Sequence, residues 1–227
     1  MKSLLVLSLL VLGTQACCDS TKLFSELQQQ GASITLTEST PRIDPFDFND
    51  SAKSVLVNGF WIYYENIDFN PIDEQPRKVF YAYGLNATKD LPEGFGNKLS
   101  SVRKLQDGLD KDKNRITFYE GRDHTGREFS TNTSVPVIAE LHGKISSLIT
   151  SGEKPWTVYT DVCYQGDHVC LYPHSVIDLE NLKQLVGYYP NVEDVDHISD
   201  NSIKSVREGC YSDNVHRTTV LKKIPLI

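Results

Sequence analysis

The sequence predicts an all-β protein of two sandwich domains, and three features carry that expectation. Short runs rich in β-branched and aromatic residues, such as 34–37 (ITLT), 79–83 (VFYAY) and 156–159 (WTVY), alternate with clusters of Gly, Asn, Asp and Pro. No strand–helix–strand alternation points to a parallel sheet; only 21–30 and 179–185 read as short helices. A polar loop leading into an apolar strand recurs four times, at 49–55 (NDSAKSV), 96–102 (GNKLSSV), 142–148 (HGKISSL) and 200–206 (DNSIKSV). The sixth-position serines fall at Ser54, Ser101, Ser147 and Ser205, at spacings of 47, 46 and 58 residues. One supersecondary unit used four times accounts for that regularity.

In chain order, residues 1–16 read as an export signal. Lys2 precedes an apolar core from Leu4 to Leu12, broken only by Ser8, and small residues follow to Ala16. The core is far shorter than the ~20 apolar residues a membrane span needs, so no transmembrane segment is expected. Residues 17–32 form an N-terminal segment. The first domain is expected at 33–106, a polar linker at 107–114, the second domain at 115–210 and a tail at 211–227. Within the linker, Asp110-x-Asp112-x-Asn114 begins like a helix–loop–helix calcium loop. Arg115 stands where that loop needs glycine, and Gly121 where it needs glutamate, so a solvated connection is the reading.

Ahead of the third and fourth loops lies a second recurring element. Tyr119, Glu120 and Gly126 repeat in spacing as Tyr159, Thr160 and Gly166. The glycine suits a positive-φ turn where a hairpin folds back over its sheet, with the aromatic packed beneath. Tyr64, Glu65 and Phe69 repeat the start of the pattern with Pro71 at the glycine position, followed by an insertion. A first copy, near 34–38, lacks the aromatics. Trp61 and Trp156 are expected in the cores.

These elements resemble the βγ-crystallin family, over nearly all of the chain after residue 16. Its Greek-key signature is an aromatic, an acidic or polar residue, three variable residues, an aromatic, one residue and glycine. His124 takes the second aromatic position in the third motif, and Thr160 the acidic one in the fourth. The resemblance implies two Greek-key β-sandwich domains and a non-enzymatic structural or matrix role with calcium as a candidate ligand.

The resemblance also implies a calcium loop reading Asn/Asp, Asn/Asp, two variable residues, Ser/Thr, Ser. No loop here is complete. The first and fourth keep the leading pairs Asn49-Asp50 and Asp200-Asn201 but carry Lys53 and Lys204 at the fifth position. The second and third keep Ser100 and Ser146 there but have Gly96 and His142-Gly143 in the leading pair. Because sites in this family draw on both motifs of a domain, hybrid half-sites would join Asn49 or Asp50 to Ser100, and Asp200 or Asn201 to Ser146. At most one weakly bound calcium per domain is expected. No other cofactor is.

The remaining residues bound the function. With 30 Asp+Glu against 23 Lys+Arg the formal net charge is −7, which argues against nucleic acid as a partner. Loss of Lys2 with residues 1–16 would leave 22 basic residues and a charge of −8. Sequons at Asn49, Asn86 and Asn132 fit export and an extracellular destination. Of the five cysteines, Cys163 and Cys170 are expected to pair within one hairpin, with Cys210 as the competing partner, and Cys17 or Cys18 is free to form an inter-chain bond. No HExxH, GxSxG, P-loop or GxGxxG pattern is present, so no catalytic residues are assigned. The expected function is a secreted, non-enzymatic structural protein acting on a protein or matrix partner. The alternative is a secreted binding protein, such as a protease inhibitor or a subunit of a toxin or defence complex.

Overall fold

A computed structural model describes residues 19–73, 78–106, 113–173, 175–179 and 182–216. Residues 1–16, expected to be an export signal, together with Cys17, Cys18, most of the linker and residues 217–227, lie outside the described residues. Fourteen strands and six single-turn 3-10 segments account for the regular structure, with no α-helix among the described residues. In the first domain β1 (Ser20–Phe24), β2 (Ser33–Leu36), β3 (Ser54–Tyr64), β4 (Val79–Asp90) and β5 (Ser101–Lys104) hydrogen-bond in the order β2-β1-β3-β4, with β5 on the far half of β3. The long β3 serves both layers. Its first half pairs with β1 and its second with β5, and the register shifts between Val57 and Gly59. Gly59 has φ +102, and a Cβ there would fall 2.7 Å from Asp19 Oδ1, so only glycine fits this bend.

The second domain repeats the plan with that long strand split in two. One sheet orders β11 (Ser175–Leu179), β12 (Leu182–Tyr189), β8 (Ser147–Ser151), β6 (Arg115–Tyr119) and β7 (Glu128–Thr131). The other orders β13 (Ser205–Glu208), β9 (Trp156–Tyr159), β10 (His168–Leu171) and β14 (Val215–His216). The bridges Thr40↔Val102 and Val135↔Val206 carry the chain of each first motif across to the second sheet, which is the Greek-key crossover.

The repeated serines explain why the unit folds. In each motif a hairpin tip turns through two consecutive left-handed residues: Gln28 and Gln29, Asp68 and Phe69, Asp123 and His124, Cys163 and Tyr164. The second of each pair donates its backbone N–H to a serine Oγ. The bonds are Gln29 to Ser54 (2.9 Å), Phe69 to Ser101 (3.1 Å), His124 to Ser147 (3.0 Å) and Tyr164 to Ser205 (3.1 Å). Each hydroxyl in turn donates to a tip carbonyl, of Glu26, Asn66, Gly121 and Asp161, at 2.5–2.6 Å. The serines are buried and saturate one donor and one acceptor that the strained turn leaves without a strand partner. In the second motif, where Pro71 replaces the glycine, the buried side chain of Asn70 closes the turn. Its Oδ1 accepts from Asn66 N at 2.8 Å and its Nδ2 donates to Lys78 O at 2.9 Å.

Two expectations change here. The stretch 21–30 is strand β1 and a hairpin tip, not a helix, and of 179–185 Leu179 ends β11 and 182–185 lie in β12, with 180 and 181 outside the described residues. The first motif therefore begins in the segment 17–32, with Phe24 and Gly31 (φ +80) at the same separation as Tyr119 and Gly126. Backbone burial decides the matter: β1 is paired on both sides, so it belongs to the first domain.

Each domain has its own core. One surrounds Trp61, Val55 and Phe95, and the other surrounds Trp156, Leu148 and Ile203. A third cluster lies between the domains. Phe60, Ile62 and Tyr64 point outward from β3, and with Leu105 they meet Tyr119, Ile149 and Val186 of the second domain. Arg103, 1% exposed, crosses this seam and donates to His124 O (3.2 Å) and Gly126 O (2.7 Å). Its Nε is 3.1 Å from Glu128 Oε2, an ion pair in which the N–H is not aimed at the oxygen. His124, fully buried, faces Tyr81 Oη through Nδ1 (3.0 Å) and Leu148 O through Nε2 (3.2 Å). A carbonyl only accepts, so Nε2 carries the proton. Burial pushes the imidazole pKa down to about 3, and the ring is neutral at physiological pH.

The disulfide also differs from expectation. Cys170 bonds to Cys210, with Cα atoms 5.2 Å apart, and Cys163 is exposed and unpaired among the described residues. Cys163 sits at the hairpin tip in a left-handed conformation, whereas Cys170 lies in β10 opposite Thr157. After β13 the chain crosses the outer face of that sheet, held by Thr157 Oγ1 to Gly209 O (2.7 Å) and Ser212 Oγ to His168 O (2.9 Å), before β14 joins β10. That crossing brings Cys210 over Cys170. The second domain consequently extends past Cys210 to His216, into the stretch expected to be tail.

Candidate functional site

The hairpin tips and the loops before β3, β5, β8 and β13 form one edge of each domain. In the first domain the loops interlock through Asp50 N to Leu99 O (3.1 Å) and Asn97 N to Ala52 O (3.0 Å). The exchange places Asp50 against Ser100, whose Oγ donates to Asp50 Oδ1 at 3.4 Å. In the second domain Asn201 N donates to Ile145 O at 3.0 Å, and Ser146 Oγ donates to Asn201 Oδ1 at 3.5 Å. The same cross-motif pairing thus occurs twice. Asn49 is exposed beside the first pair, and its carbonyl accepts from Ser51 Oγ at 3.0 Å.

Around the second pair lies an open cleft of about 310 Å³, lined by Glu120, Ser146, Asp200 and Asn201 among others. Asp200 Oδ1 is buried there with no hydrogen-bond partner. A buried carboxylate oxygen without a donor is costly unless a cation or an ordered water meets it. Ser146, 7% exposed, lines the cleft, with its hydroxyl donating to Asn201.

The sequence reading gave no site role to Glu120 or to its counterpart Glu65. Both are well shielded carboxylates standing directly after the hairpin aromatic. The signal was present, since each is the acidic residue of the repeated pattern. Glu120 is gripped by Arg127 through two hydrogen bonds (2.9 and 3.0 Å), with Lys144 Nζ 3.6 Å away, and the Arg127 hydrogen bond holds its carboxyl below the usual range. Lys98 Nζ lies 3.4 Å from Glu65.

At the opposite half of each loop pair stands an ammonium. Lys53 pairs with Glu26 at 2.9 Å and Lys204 with Asp161 at 3.6 Å. Oxygen donors gather at one half-site per domain, where Arg122 and Lys144 also line the second-domain cleft, and the other half carries Lys53 or Lys204. Such a set suits a hard cation such as calcium, which takes oxygen ligands. Among the described residues no group of three or more His, Cys, Asp and Glu is close enough to hold a metal on those residue types alone. The sequon residues Asn49, Asn86 and Asn132 are all exposed. No helix among the described residues is long and apolar enough to cross a membrane.

Comparisons with known proteins place this geometry. A model of peptidase inhibitor family I36 matches residues 112–171, which hold β6 to β10. No curated protein matches the sequence. Among solved structures, geodin from Geodia cydonium, a βγ-crystallin, aligns with 84% of this chain and 99% of its own at 19% identity and a TM-score of 0.64. A βγ-crystallin from Ciona intestinalis aligns with 41% of this chain and 98% of its own (24% identity, TM-score 0.33). A βγ-crystallin from an archaeon aligns with 43% and 99% (28% identity, TM-score 0.35). Taken with the four serine-clamped hairpins and the paired Greek keys, the match to geodin across both domains shows that this chain has the βγ-crystallin fold, used twice.

Proposed function

We propose that this chain is an exported, non-catalytic member of the βγ-crystallin family that binds at most one calcium ion per domain, weakly, in a structural or matrix role. The observation that carries the reading is the orphaned Asp200 Oδ1 in a cleft shared with Ser146, Asn201 and Glu120. In the second domain these four residues would hold the ion, and in the first Asp50, Ser100 and Glu65, with Asn49 alongside. Weakness follows from charge already present. Arg127 and Lys144 neutralise Glu120, and Lys98 stands by Glu65, so an incoming cation must displace or tolerate them. The internal disulfide suits an oxidising compartment, which supports export. A glycan on exposed Asn49 would weaken the first half-site further.

A second reading has its own support in the match to peptidase inhibitor family I36 within the second domain. It makes the chain a secreted inhibitor of a peptidase. Isothermal titration separates the two. The calcium reading expects no more than two ions per chain and loss of the second-domain event in Ser146→Arg. Two tight ions in one domain, or binding indifferent to that substitution, would sink it. Stoichiometric inhibition of a purified peptidase by the calcium-free chain would favour the second reading.

A further inference from the structure

The insertion after Phe69 belongs to the first domain, yet it packs on the second domain's hairpin. Phe69 O accepts from Gly126 N at 3.0 Å. Two residues beyond Asn70, Ile72 lies so close over the tip that a Cβ at Gly121 would fall 3.0 Å from Ile72 Cγ2, and one at Gly126 3.4 Å from it. Both glycines admit this approach because they have no side chain. Ile72 is 41% exposed, a large apolar group left at the surface, and it lines the same cleft as Glu120, Ser146, Asp200 and Asn201.

From this arrangement we propose that Ile72 is the first domain's contribution to the second domain's cation site, so that calcium binding there is coupled to the docking of the two domains. The proposal rests on the calcium reading above. Its physical basis is that the cleft has a wall from each domain. The hairpin 119–126 supplies Glu120 to the cleft and, two turns of chain later, His124 and Gly126 to the seam with Arg103. Closing the seam sets Ile72 over the cleft, and an ion that orders Glu120 and Ser146 in turn favours the docked arrangement. Such coupling is reciprocal by thermodynamic linkage.

Placing a carboxylate at this wall reads the proximity directly. At an assumed separation of ~8 Å, one added negative charge raises the affinity for a divalent ion about fivefold at the dielectric of bulk water. The test is isothermal titration of calcium into the full chain carrying Ile72→Asp, with Ile72→Asn as the uncharged control, and hydrogen exchange of the same proteins. Ile72→Asp should tighten the Ser146-dependent event about fivefold or more over Ile72→Asn and leave the first-domain event unchanged. In the unsubstituted chain, calcium should slow exchange at the seam amides of His124 and Gly126. Equal affinities for the two variants, with the Ser146-dependent event intact, would overturn the proposal and leave the calcium reading standing. Absence of any Ser146-dependent event would overturn both.

Discussion

Replacing Ser147 by alanine removes one atom that serves two buried groups. Its Oγ accepts from His124 N at 3.0 Å and donates to Gly121 O at 2.5 Å, and the side chain is wholly shielded from solvent. The alanine leaves an N–H and a carbonyl in a closed turn. At about 1–3 kcal/mol for each of the two buried groups left unsatisfied, the loss is about 2–6 kcal/mol. The comparison that isolates the cause is Ser54→Ala. Ser54 makes the same two bonds, to Gln29 N (2.9 Å) and Glu26 O (2.6 Å), but that tip is open, with Glu26, Leu27 and Gln28 exposed. Water can take the released groups there, so the cost should be nearer 1 kcal/mol. Urea unfolding followed by tryptophan fluorescence measures both variants, with Trp61 in the first core and Trp156 in the second as reporters. If Ser147→Ala lies within 0.5 kcal/mol of the unsubstituted chain, or about equals Ser54→Ala in cost, the clamp is not what holds the hairpin.

The seam histidine and the disulfide yield two further expectations. Burial depresses the His124 pKa to about 3, below the ordinary 6.5, so the unfolded chain takes up the proton first as pH falls. Its contribution is complete above pH 6.5 and is lost between there and about 3, approaching about 1.4 kcal/mol per pH unit. Melting temperature against pH should therefore be flatter between 6.5 and 4.5 in His124→Phe, and an unchanged slope would contradict this. The Cys170–Cys210 bond closes 40 residues, for which loop entropy gives up to about 4 kcal/mol. Peptide mapping without reductant should find that crosslink and leave Cys163 open to alkylation, whereas a Cys163–Cys170 peptide would refute the assignment.

Much of the fold was legible because its constraints fall on single residues at fixed spacing. Ser54, Ser101, Ser147 and Ser205 had to recur, since each closes a turn that no strand can satisfy. The first hairpin was hidden by composition. Leu27-Gln28-Gln29-Gln30 consists of helix formers, yet Gln28 and Gln29 occupy left-handed backbone that only the tertiary fold imposes. Phe24 and Gly31 carried the missing signal. The docked domains left a trace in 60–64 (FWIYY), an apolar run without alternation, which marks a strand buried on both faces. The Cys170–Cys210 bond had no local signal, because it depends on a chain crossing after β13. At the candidate sites, the cross-motif partners could be named from the damaged loops and Glu120 stood in the repeated pattern, while Ile72 required the cleft itself.

The central claim is that each cation site is shared between two motifs of one domain. Calcium titration followed by backbone amide chemical shifts in the chain from residue 17 onward tests it most directly. The expected result is one weak transition per domain in which both loops move together, Asp50 with Leu99 and Ser100 in the first, and Ile145 and Ser146 with Asn201 in the second. Shifts confined to a single loop of either domain, or centred on Lys53 and Lys204, would contradict it.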